Sequence, residues 1–568
     1  MVRPPHPLAR AARLVPRALA ILLIAAAADA AVSLHTTPGW QRDGDQTDCR
    51  FGTVAQAGDV NGDGFADVLV GAYNADHPEV DEGVAYLFLG SASGLATSPA
   101  WIGEVNQAGA HLADKLSGAG DVNGDGYDDL ILGAGYYHDG ETDEGAAFVF
   151  LGSPAGPSLT PDWSAQGNQA GAQFGACVQA AGDVNGDGYD DVVVGSWQYS
   201  HGQTAEGRAY VYCGSDTGLS DTPAWIGESD SNGAAYGYFC RGAGDLDHDG
   251  YDDLVVGARR FSGNGLSTEG RVYVYYGSPT GLSPTPDWIQ DGGRANGEFG
   301  SAVGPAGDVN GDGFGDLLVG AFRWDNPSAD EGAAFVYPGS AAGLSHTPIW
   351  MKEGDQSGAY FSYHHDCAGD INLDGYDDIV LSVQGWDGSV VDGGRALVYL
   401  GSPTGPGAFP AWIQEGDQEA GSLESVRGVG DVNGDGLADL MTGALYRDGL
   451  FTDAGRAYLF YGFNDGITSV PDAPTGVRLD AAVPNPFTHA TTLAFSLPNA
   501  GPARLTILDL SGRRIATPFD GVAGAGRQVA RWDGRGADGR AVPGGIYFVR
   551  LDARGATRTI RVAHLRSR

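Results

Sequence analysis

The chain of 568 residues carries 72 Asp and Glu against 33 Lys and Arg, which gives a formal net charge of −39 at pH 7. So acidic a surface excludes nucleic acid and anionic membranes as partners, because both are themselves negatively charged. The length allows several domains, and the 92 glycines with 42% hydrophobic residues indicate a turn-rich all-β protein with a sufficient core.

The first thirty residues have the pattern of a secretory signal peptide. Four arginines precede an apolar run over residues 18–28, and Ala28-Asp29-Ala30 offers a small-residue cleavage site. The apolar run is too short to span a membrane comfortably. We therefore predict a signal peptide over residues 1–30 and an exported mature chain without a transmembrane segment.

One acidic loop then recurs seven times, at spacings of 61 to 63 residues. The first copy, Asp59-Val60-Asn61-Gly62-Asp63-Gly64-Phe65-Ala66-Asp67, has Asp or Asn at positions 1, 3 and 5, Gly at position 6 and Asp at position 9. A fixed period of this length indicates stacked supersecondary units.

The alternation of oxygen-bearing side chains predicts calcium binding. Ca²⁺ takes about six to eight oxygen ligands, and a Gly lets the loop turn so that alternate side chains converge on one ion. Position 12, where an EF-hand needs a bidentate Glu, is apolar or Thr in every copy, so these loops are not EF-hands. The alternative is that the Asn-Gly and Asp-Gly pairs only form tight turns, which would leave mutually repelling carboxylates in all seven copies.

We predict up to seven Ca²⁺ ions as the cofactor, one per loop. The expected ligands are the side-chain oxygens of positions 1, 3, 5 and 9 and the carbonyl oxygen of position 7. In chain order they are Asp59, Asn61, Asp63, Phe65, Asp67, Asp121, Asn123, Asp125, Tyr127, Asp129, Asp183, Asn185, Asp187, Tyr189, Asp191, Asp245, Asp247, Asp249, Tyr251, Asp253, Asp308, Asn310, Asp312, Phe314, Asp316, Asp370, Asn372, Asp374, Tyr376, Asp378, Asp431, Asn433, Asp435, Leu437 and Asp439.

Each loop lies between two predicted strands, and two further strands complete the unit. A strand A of mostly small residues, such as 53–58, precedes the loop, and a strand B rich in β-branched residues, such as 67–72, follows it. A variable segment then leads to strand C, as at 85–90, and to a strand D that carries a Pro-x-Trp motif. Four strands in each of seven units predict a seven-bladed β-propeller over residues 31–465.

The tryptophans predict how the ring closes. One Trp falls in each strand D, and the first, Trp40, precedes the first loop. The seventh unit ends at Gly462 with no Trp after its strand C. We therefore predict that an N-terminal strand around Trp40 completes blade seven, and that all seven Trp side chains pack between blades. They are Trp40, Trp101, Trp163, Trp225, Trp288, Trp350 and Trp412.

These features together resemble the FG-GAP repeats of integrin α-subunit propellers and their bacterial relatives. The resemblance rests on the acidic loop, on Phe-Gly pairs such as Phe51-Gly52 and on the Gly-Ala after strand B, as in Gly71-Ala72. It implies calcium in the A–B hairpins of one face and partner recognition on the opposite face. Three units depart at the opening pair and are expected to pack differently there; they begin with His111-Leu112, Phe361-Ser362 and Leu423-Glu424.

The five cysteines cannot all pair with one another, because their number is odd. No C-x-x-C spacing supports a zinc or redox site. Cys213 ends one strand C and Cys240 lies in the following strand A, so a disulfide between them is one option.

The repeat ends near residue 465, and a linker is predicted over residues 466–480. Residues 481–568 are basic, with predicted strands that suggest a small sandwich. The runs Pro484-Asn485-Pro486-Phe487 and Gly545-Ile546-Tyr547-Phe548 are similar to C-terminal sorting domains of type IX secretion and to the Ig-like domain of flagellar hook-capping proteins. The resemblance implies a bacterial surface or secreted protein that contacts the secretion machinery. A purely structural Ig-like module is the alternative.

The loops between strands B and C are expected on the face opposite the acidic loops. They carry aromatic and charged residues, and contact with a ligand and capping of their own blades are equally compatible with this composition. They include Tyr73, Tyr136, Tyr137, Trp197, Tyr199, Phe322, Trp324 and Trp386. His364-His365-Asp366 falls in strand A of blade six, where a rim or packing role is expected.

We find no nucleophile elbow and no zinc-binding histidine motif, so no catalytic residue is predicted. The sequence favours a secreted or surface-displayed calcium-binding adhesion or recognition scaffold, with an extracellular protein or glycan as partner. The first alternative is an enzyme, a polysaccharide hydrolase or lyase that uses His138, His201 or Asp325. The second is a structural component of the cell envelope.

Overall fold

The structure is a computed structural model that describes residues 34–462, 478–483, 487, 491–497, 501–510, 512–523, 526–532, 534–537, 540–553 and 556–565. The chain divides into two compact units, one over Ala31–Asn464 and one that includes Asp465–Arg568. The predicted signal peptide, most of the linker and the Pro484–Pro486 motif lie outside the described residues. The described secondary structure is all β.

The first unit is a seven-bladed propeller of four-stranded antiparallel sheets. Strands A to D of each blade follow one another in the chain and in the sheet. Blades 1 to 3 are β2 (Phe51–Gly58), β3 (Asp67–Ala72), β4 (Val84–Phe88), β5 (Trp101–Gly103); β6 (Lys115–Gly120), β7 (Asp129–Ala134), β8 (Ala146–Phe150), β9 (Trp163–Gln166); and β10 (Phe174–Gly182), β11 (Asp191–Ser196), β12 (Arg208–Tyr212), β13 (Trp225–Glu228).

Blades 4 to 6 repeat this order, and blade 7 takes its fourth strand from the other end of the chain. They are β14 (Tyr236–Gly244), β15 (Asp253–Ala258), β16 (Arg271–Tyr275), β17 (Trp288–Asp291); β18 (Ala302–Gly307), β19 (Asp316–Ala321), β20 (Ala333–Tyr337), β21 (Trp350–Glu353); and β22 (Phe361–Gly369), β23 (Asp378–Val383), β24 (Arg395–Tyr399), β25 (Trp412–Glu415). Blade 7 is β26 (Leu423–Gly430), β27 (Asp439–Ala444), β28 (Arg456–Phe460) and β1 (Trp40–Asp43).

The predicted closure of the ring is confirmed. Strand β1 pairs antiparallel with β28, with Trp40 opposite Leu459 and Asp43 opposite Arg456. The innermost strands of successive blades contact one another around the whole ring, and β26 of blade 7 contacts β2 of blade 1. Strand A therefore lines the axis. Strand B, fully buried in every blade, carries the core.

The strand D tryptophans pack between blades, as predicted. The Trp101 ring meets Phe150 of the next blade edge-on at 5.0 Å, and its indole N–H donates to the Ser158 carbonyl at 2.9 Å. Every other Trp of the set except Trp288 makes the same kind of bond. The indole N–H of Trp288 has no acceptor, and its ring stacks on His346 at 5.5 Å.

The three departures at the opening pair leave this corner unchanged, contrary to expectation. Leu112, Phe361 and Leu423 are all buried. Each donates its backbone N–H to the carbonyl of the residue before the glycine that precedes strand C of the preceding blade, as Phe174 does to Glu144. The corner therefore needs a large apolar side chain, and Leu serves as well as Phe.

The structure does not contain the Cys213–Cys240 disulfide that the sequence left as one option. The sulfur of Cys240 lies beside Cys177, not Cys213: the Cys240 N–H donates to the Cys177 sulfur at 3.2 Å. All five cysteines are free thiols. Cys213 lies instead beside the third acidic loop, where burial and the neighbouring Asp191 raise its pKa to about 12.

The C-terminal unit contains two antiparallel sheets around one core. One sheet has the order β29-β30-β33 and the other β32-β31-β34-β35. Side chains of both sheets, among them Phe495, Leu505 and Leu551, form a single cluster. The strands are β29 (Arg478–Val483), β30 (Thr491–Leu497), β31 (Gly501–Leu508), β32 (Arg514–Ala523), β33 (Gly526–Trp532), β34 (Gly545–Ala553) and β35 (Ala556–His564). Its membership of the Ig-like class stays a prediction.

Among the described residues, no helix is long and apolar enough to cross a membrane.

Candidate calcium loops and the opposite face

Each acidic loop is the hairpin between strands A and B, so all seven lie on one face of the ring, here called the loop face. In the first loop, the Asp59 carboxylate accepts the N–H groups of Asp63 and Gly64 at 3.0 and 2.8 Å. Asn61 and Asp63 accept further backbone N–H groups of the same loop. Gly62 and Gly64 have φ of 72° and 90°, which permits this tight turn. Side-chain oxygens of positions 1, 3 and 5 are therefore held together inside one loop.

The Asp at position 9 has a second role that the sequence does not reveal. In the first loop, one oxygen of Asp67 accepts the Val60 N–H at 3.1 Å and the other accepts the Gly90 N–H at 2.8 Å. The carboxylate thus ties the loop to the end of strand C. Because both oxygens are acceptors, Asn could not replace Asp here, whereas position 3 tolerates Asn.

All seven position 9 carboxylates are buried, and their hydrogen bonds only partly offset the loss of solvation. Burial raises the pKa to about 7 in Asp67, Asp129, Asp191, Asp316 and Asp439, and to about 8 in Asp253 and Asp378. Neighbouring carboxylates of the same loop raise these pKa values further, and the two backbone N–H groups only partly offset the effect. A bound cation would favour the ionised form.

The fourth loop shows how well a cation fits. Carboxylate oxygens of Asp245, Asp247 and Asp253 all lie within 4.8 Å of one another. One oxygen of Asp247 is buried without a hydrogen-bond partner, and burial together with Asp249 and Asp245 raises the pKa of its carboxyl. A hard, oxygen-rich donor set of this kind suits Ca²⁺. Positions 1, 3, 5 and 9, with the position 7 carbonyl, would hold the ion, which would supply charge neutralisation and cross-bracing of the hairpin.

Adjacent loops are also joined to one another by hydrogen bonds that the sequence pattern did not predict. Asp128, at position 8 of the second loop, accepts the N–H of Asp59 from the first loop at 2.6 Å. Asp190, Asp252 and Asp377 make the same bond to Asp121, Asp183 and Asp308 at 2.8 to 2.9 Å. The available signal was the recurrence of Asp at position 8 in four loops.

The position 7 side chains extend this belt. A Cβ atom on Gly62 would lie 2.6 Å from the Tyr127 ring, so position 4 of one loop is covered by position 7 of the next. Where position 4 is His248, its ring packs against Phe314 at 5.8 Å. Position 7 was predicted only as a carbonyl ligand; its side chain couples neighbouring loops.

The opposite face, here called the B–C face, carries the B–C and D–A loops and a cavity on the ring axis. The cavity has a volume of about 230 Å³. Its lining comes from the first residues of strand A and from the residues just after strand B, both of which lie at this end of the blades. Charged and aromatic groups predominate, among them Tyr73, Lys115, Arg259, Phe322, Tyr363 and Glu424.

An ion-pair cluster lies between inner strands of blades 4, 6 and 7. Asp366, almost fully buried, pairs with Arg241 at 2.5 Å and with Arg427 at 3.9 Å. His364 lines the cavity, and burial lowers its pKa well below the usual value. His365 is bonded to the Ser362 hydroxyl at 2.9 Å, and burial lowers its pKa to about 3. Both imidazoles are therefore neutral, and the predicted packing role suits His365 better than His364.

The B–C aromatics divide by position between the two roles that the sequence left open. Tyr73 and Phe322, directly after strand B, line the axial cavity, whereas Trp197 at the same position of blade 3 packs edge-on against Tyr238 at 5.5 Å. The third residue after strand B packs on its own blade: Arg208 lies 3.9 Å from the Tyr199 ring, and Arg395 lies 3.3 Å from the Trp386 ring.

The candidate hydrolase residues do not come together. His138, His201 and Asp325 belong to blades 2, 3 and 5, and each contacts its own surroundings. The backbone of His138 bonds reciprocally to Gln107, His201 lies 3.3 Å from Glu228, and Asp325 accepts the Asp330 N–H. The structure gives these three residues no shared site.

Six segments of the chain match the FG-GAP repeat. They are residues 51–88, 116–150, 180–212, 242–275, 299–337 and 428–460, which fall in blades 1 to 5 and 7. The FG-GAP propeller that the sequence predicted is therefore confirmed.

Integrin alpha chains are similar to parts of the same region. Integrin alpha-IIb of Homo sapiens is 37% identical over 179 residues, which is 30% of this chain and 16% of that protein. The Mus musculus protein is 35% identical over 179 residues, with the same coverage. Integrin alpha-5 of Xenopus laevis is 32% identical over 235 residues, 40% of this chain and 21% of that protein. The chain thus spans only about a sixth to a fifth of the length of these relatives.

Among solved structures, one match is PorZ, described as an essential bacterial surface component of the type-IX secretion system of Porphyromonas gingivalis. It is 12% identical, the match covers 88% of this chain and 64% of that chain, and the TM-score is 0.27. A likeness of this size supports no conclusion about fold or function.

Proposed function

We propose that this protein is an extracellular recognition scaffold in which calcium braces the loop face of the propeller and a partner binds the B–C face. The observation that carries the proposal is the axial cavity, which gathers a lysine, an arginine, a glutamate and several aromatic rings on the face away from the acidic loops. The similarity of the propeller to integrin alpha chains supports a role in recognition.

The size of the cavity limits what it binds. A volume of about 230 Å³ is smaller than the roughly 300 to 1,000 Å³ of pockets that enclose a whole drug-sized ligand. The cavity therefore receives one protruding side chain or one sugar unit of a larger extracellular protein or glycan. Aromatic faces beside charged groups suit either kind of partner.

A glycan and matrix-protein array tests this proposal. The full chain in excess Ca²⁺ should bind a defined subset, and Lys115→Ala and Glu424→Gln should each reduce that binding at least tenfold. Lys352, the other lysine of residues 34–462, lies on an outer strand, so Lys352→Ala is the matched control and should bind normally. Binding that survives both cavity substitutions, with melting temperatures unchanged, refutes a role for the cavity. An array without any binder refutes the scaffold itself in favour of a structural envelope component.

We further propose that the N-terminal segment and the C-terminal unit direct the chain to the surface of a bacterium or to its surroundings. Support comes from the sequence pattern of residues 1–30 and from the sorting-domain resemblance of residues 481–568. Mass spectrometry of the native product should show an N-terminus after Ala30. Deletion of residues 481–568 should leave the propeller folded but retained inside the outer membrane; unimpaired export of the deletion product contradicts the sorting role.

A further inference from the structure

A buried glutamate precedes strand C in five of the seven blades, on the B–C face. The five are Glu82, Glu144, Glu206, Glu269 and Glu331, and each is at most 2% exposed. In blade 2, one oxygen of Glu144 accepts the Asp139 N–H at 2.7 Å. In blade 4, the two oxygens of Glu269 accept the N–H groups of Gly263 and Gly293, both at 3.1 Å. These bonds explain why a carboxylate is tolerated at this depth.

Glu82 in blade 1 lacks this compensation. It is 0% exposed, and neither oxygen of its carboxylate has a hydrogen-bond partner. Burial, followed by the nearby Glu104, raises its pKa to about 7, and His77 only partly offsets this rise. A buried carboxylate without partners is strongly destabilising unless a cation offsets its charge.

The groups around Glu82 form a small cluster with mixed donors. An imidazole nitrogen of His77 and carboxylate oxygens of Glu82 and Glu104 all lie within 4.8 Å of one another. The His77 Nδ1 atom contacts a Glu104 oxygen directly. The side chains of His77 and Glu104 are 51% and 32% exposed, so the cluster is buried on the Glu82 side and open to solvent on the other.

Blade 1 lacks an arginine that pairs with the strand D carboxylate in three other blades. At the first position of strand C, blades 3, 4 and 7 carry Arg208, Arg271 and Arg456, and each guanidinium pairs with the acidic residue of its own strand D. Blade 1 has Val84 at this position. Blade 5 also lacks the arginine, but its Glu353 accepts N–H groups of Asn326 and Trp324. Two carboxylates in blade 1 thus face only one imidazole.

We propose that His77, Glu82 and Glu104 bind a first-row transition-metal ion of the Zn²⁺ class, separate from the calcium of the acidic loops. One imidazole nitrogen and two carboxylates match the ligands that Zn²⁺ accepts, whereas Ca²⁺ prefers oxygen ligands alone. Three protein ligands leave a coordination position open toward the solvent side, where water or an acidic group of a partner completes the shell. The site goes beyond the proposed scaffold function and does not depend on it.

Blade 3 holds a second, weaker copy of the site. His201, Glu206 and Glu228 occupy the equivalent positions, again with ligand atoms within 4.8 Å of one another. Here Arg208 already pairs with Glu228, and one oxygen of Glu206 accepts the His201 N–H at 2.5 Å. A metal ion would have to compete with the guanidinium charge. Zn²⁺ therefore binds blade 1 more tightly than blade 3.

Titration of the untagged full chain with Zn²⁺ in a large excess of Ca²⁺ tests the site, because the excess keeps the acidic loops filled with calcium. Calorimetry should show one tight Zn²⁺ per chain. His77→Ala and Glu82→Gln should each weaken it about 100-fold or more, since even indirect partners of a metal site are worth 10- to 100-fold. His138→Ala, an exposed histidine of the same loop in blade 2, is the matched control. Co²⁺ should give a visible absorption spectrum that His77→Ala abolishes.

Thermal melting separates a metal ligand from a structural residue. Without Zn²⁺, Glu82→Gln removes a buried, unpartnered charge and should melt at or above the wild-type temperature. With one equivalent of Zn²⁺, which fills the tighter blade 1 site first, the wild type and His138→Ala should gain stability and the two ligand variants should gain much less. The proposal is overturned if Zn²⁺ binds the two ligand variants as tightly as the wild type, if the wild type binds no Zn²⁺ in excess Ca²⁺, or if Glu82→Gln lowers the melting temperature without metal.

Discussion

Removal of calcium should make the propeller less stable as the pH rises from about 4 to about 8. The position 9 carboxyls ionise near pH 3.8 in the unfolded chain, whereas the native pKa values are about 7 to 8. The native state therefore binds more protons than the unfolded state throughout this window, and the free energy of unfolding falls as the pH rises. This contribution is complete below pH 3.8 and is lost once the pH passes the native pKa values.

The size of this effect follows from the pKa shift. A rise in the pKa of one carboxyl from 3.8 to about 7 corresponds to ~4 kcal/mol of lost stability once that carboxyl is ionised. Even after the metal-free loops relax, the cost summed over seven carboxyls is comparable to the total stability of a typical domain, which is about 5 to 15 kcal/mol. Bound Ca²⁺ neutralises most of the negative charge of a loop, so its stabilising effect should be largest at pH 8 and should shrink toward pH 5, where protons compete with the ion.

Calorimetric melting at pH 5, 6, 7 and 8, in chelator and in excess Ca²⁺, tests both the pH dependence of the metal-free protein and the stabilisation by calcium. In chelator the melting temperature should fall with pH, and in Ca²⁺ it should stay level or rise. Repetition in about 0.5 M salt separates the buried carboxyls from general repulsion of the acidic surface, because salt screens only the latter. A melting temperature in chelator that is level between pH 5 and 8, or that Ca²⁺ leaves unchanged at pH 8, refutes the reasoning.

Three further predictions concern packing and thiols. Asp128→Ala removes the acceptor of the Asp59 N–H and should cost about 1 to 3 kcal/mol in denaturant unfolding, while Asp216→Ala, an exposed turn residue on the same face, should cost almost nothing. Trp101→Phe leaves the Ser158 carbonyl without its donor and should cost more than Trp288→Phe, whose indole has no acceptor; equal costs would argue against the indole bond. Alkylation of the unreduced, denatured chain should modify all five cysteines, and a protected pair would reveal a disulfide that the structure does not have.

The repeat made the fold predictable, because each blade supplied the same signals at one period. The acidic loop predicted the position of each hairpin, and the tryptophan of strand D predicted the outer strand. Trp40, ahead of the first loop, indicated how the ring closes. The type IX sorting domain, the partner and the calcium ions themselves stay predictions.

What the sequence did not show are contacts between units that lie one period apart. Asp128 bonds to a residue 69 positions away in another blade, so its role is invisible within its own loop. Cys177 and Cys240 occupy equivalent places in neighbouring inner strands, which meet at the axis, whereas Cys213 ends a strand C farther out. The Glu82 cluster was missed because its three members are spread over a B–C loop, the start of strand C and the end of strand D.

The N-terminal strand that completes blade 7 has a consequence for how the chain folds. Asp43 and its partner Arg456 are separated by 413 positions. Strand β1 can therefore pair with β28 only after almost the entire propeller has been synthesised. Closing so long a loop is slow, because the entropy of closure precedes the gain from the contacts. Until then both β1 and the outer edge of β28 are exposed strands open to pairing with another chain. We therefore expect ring closure to be the last folding event, and incomplete chains to associate through this edge.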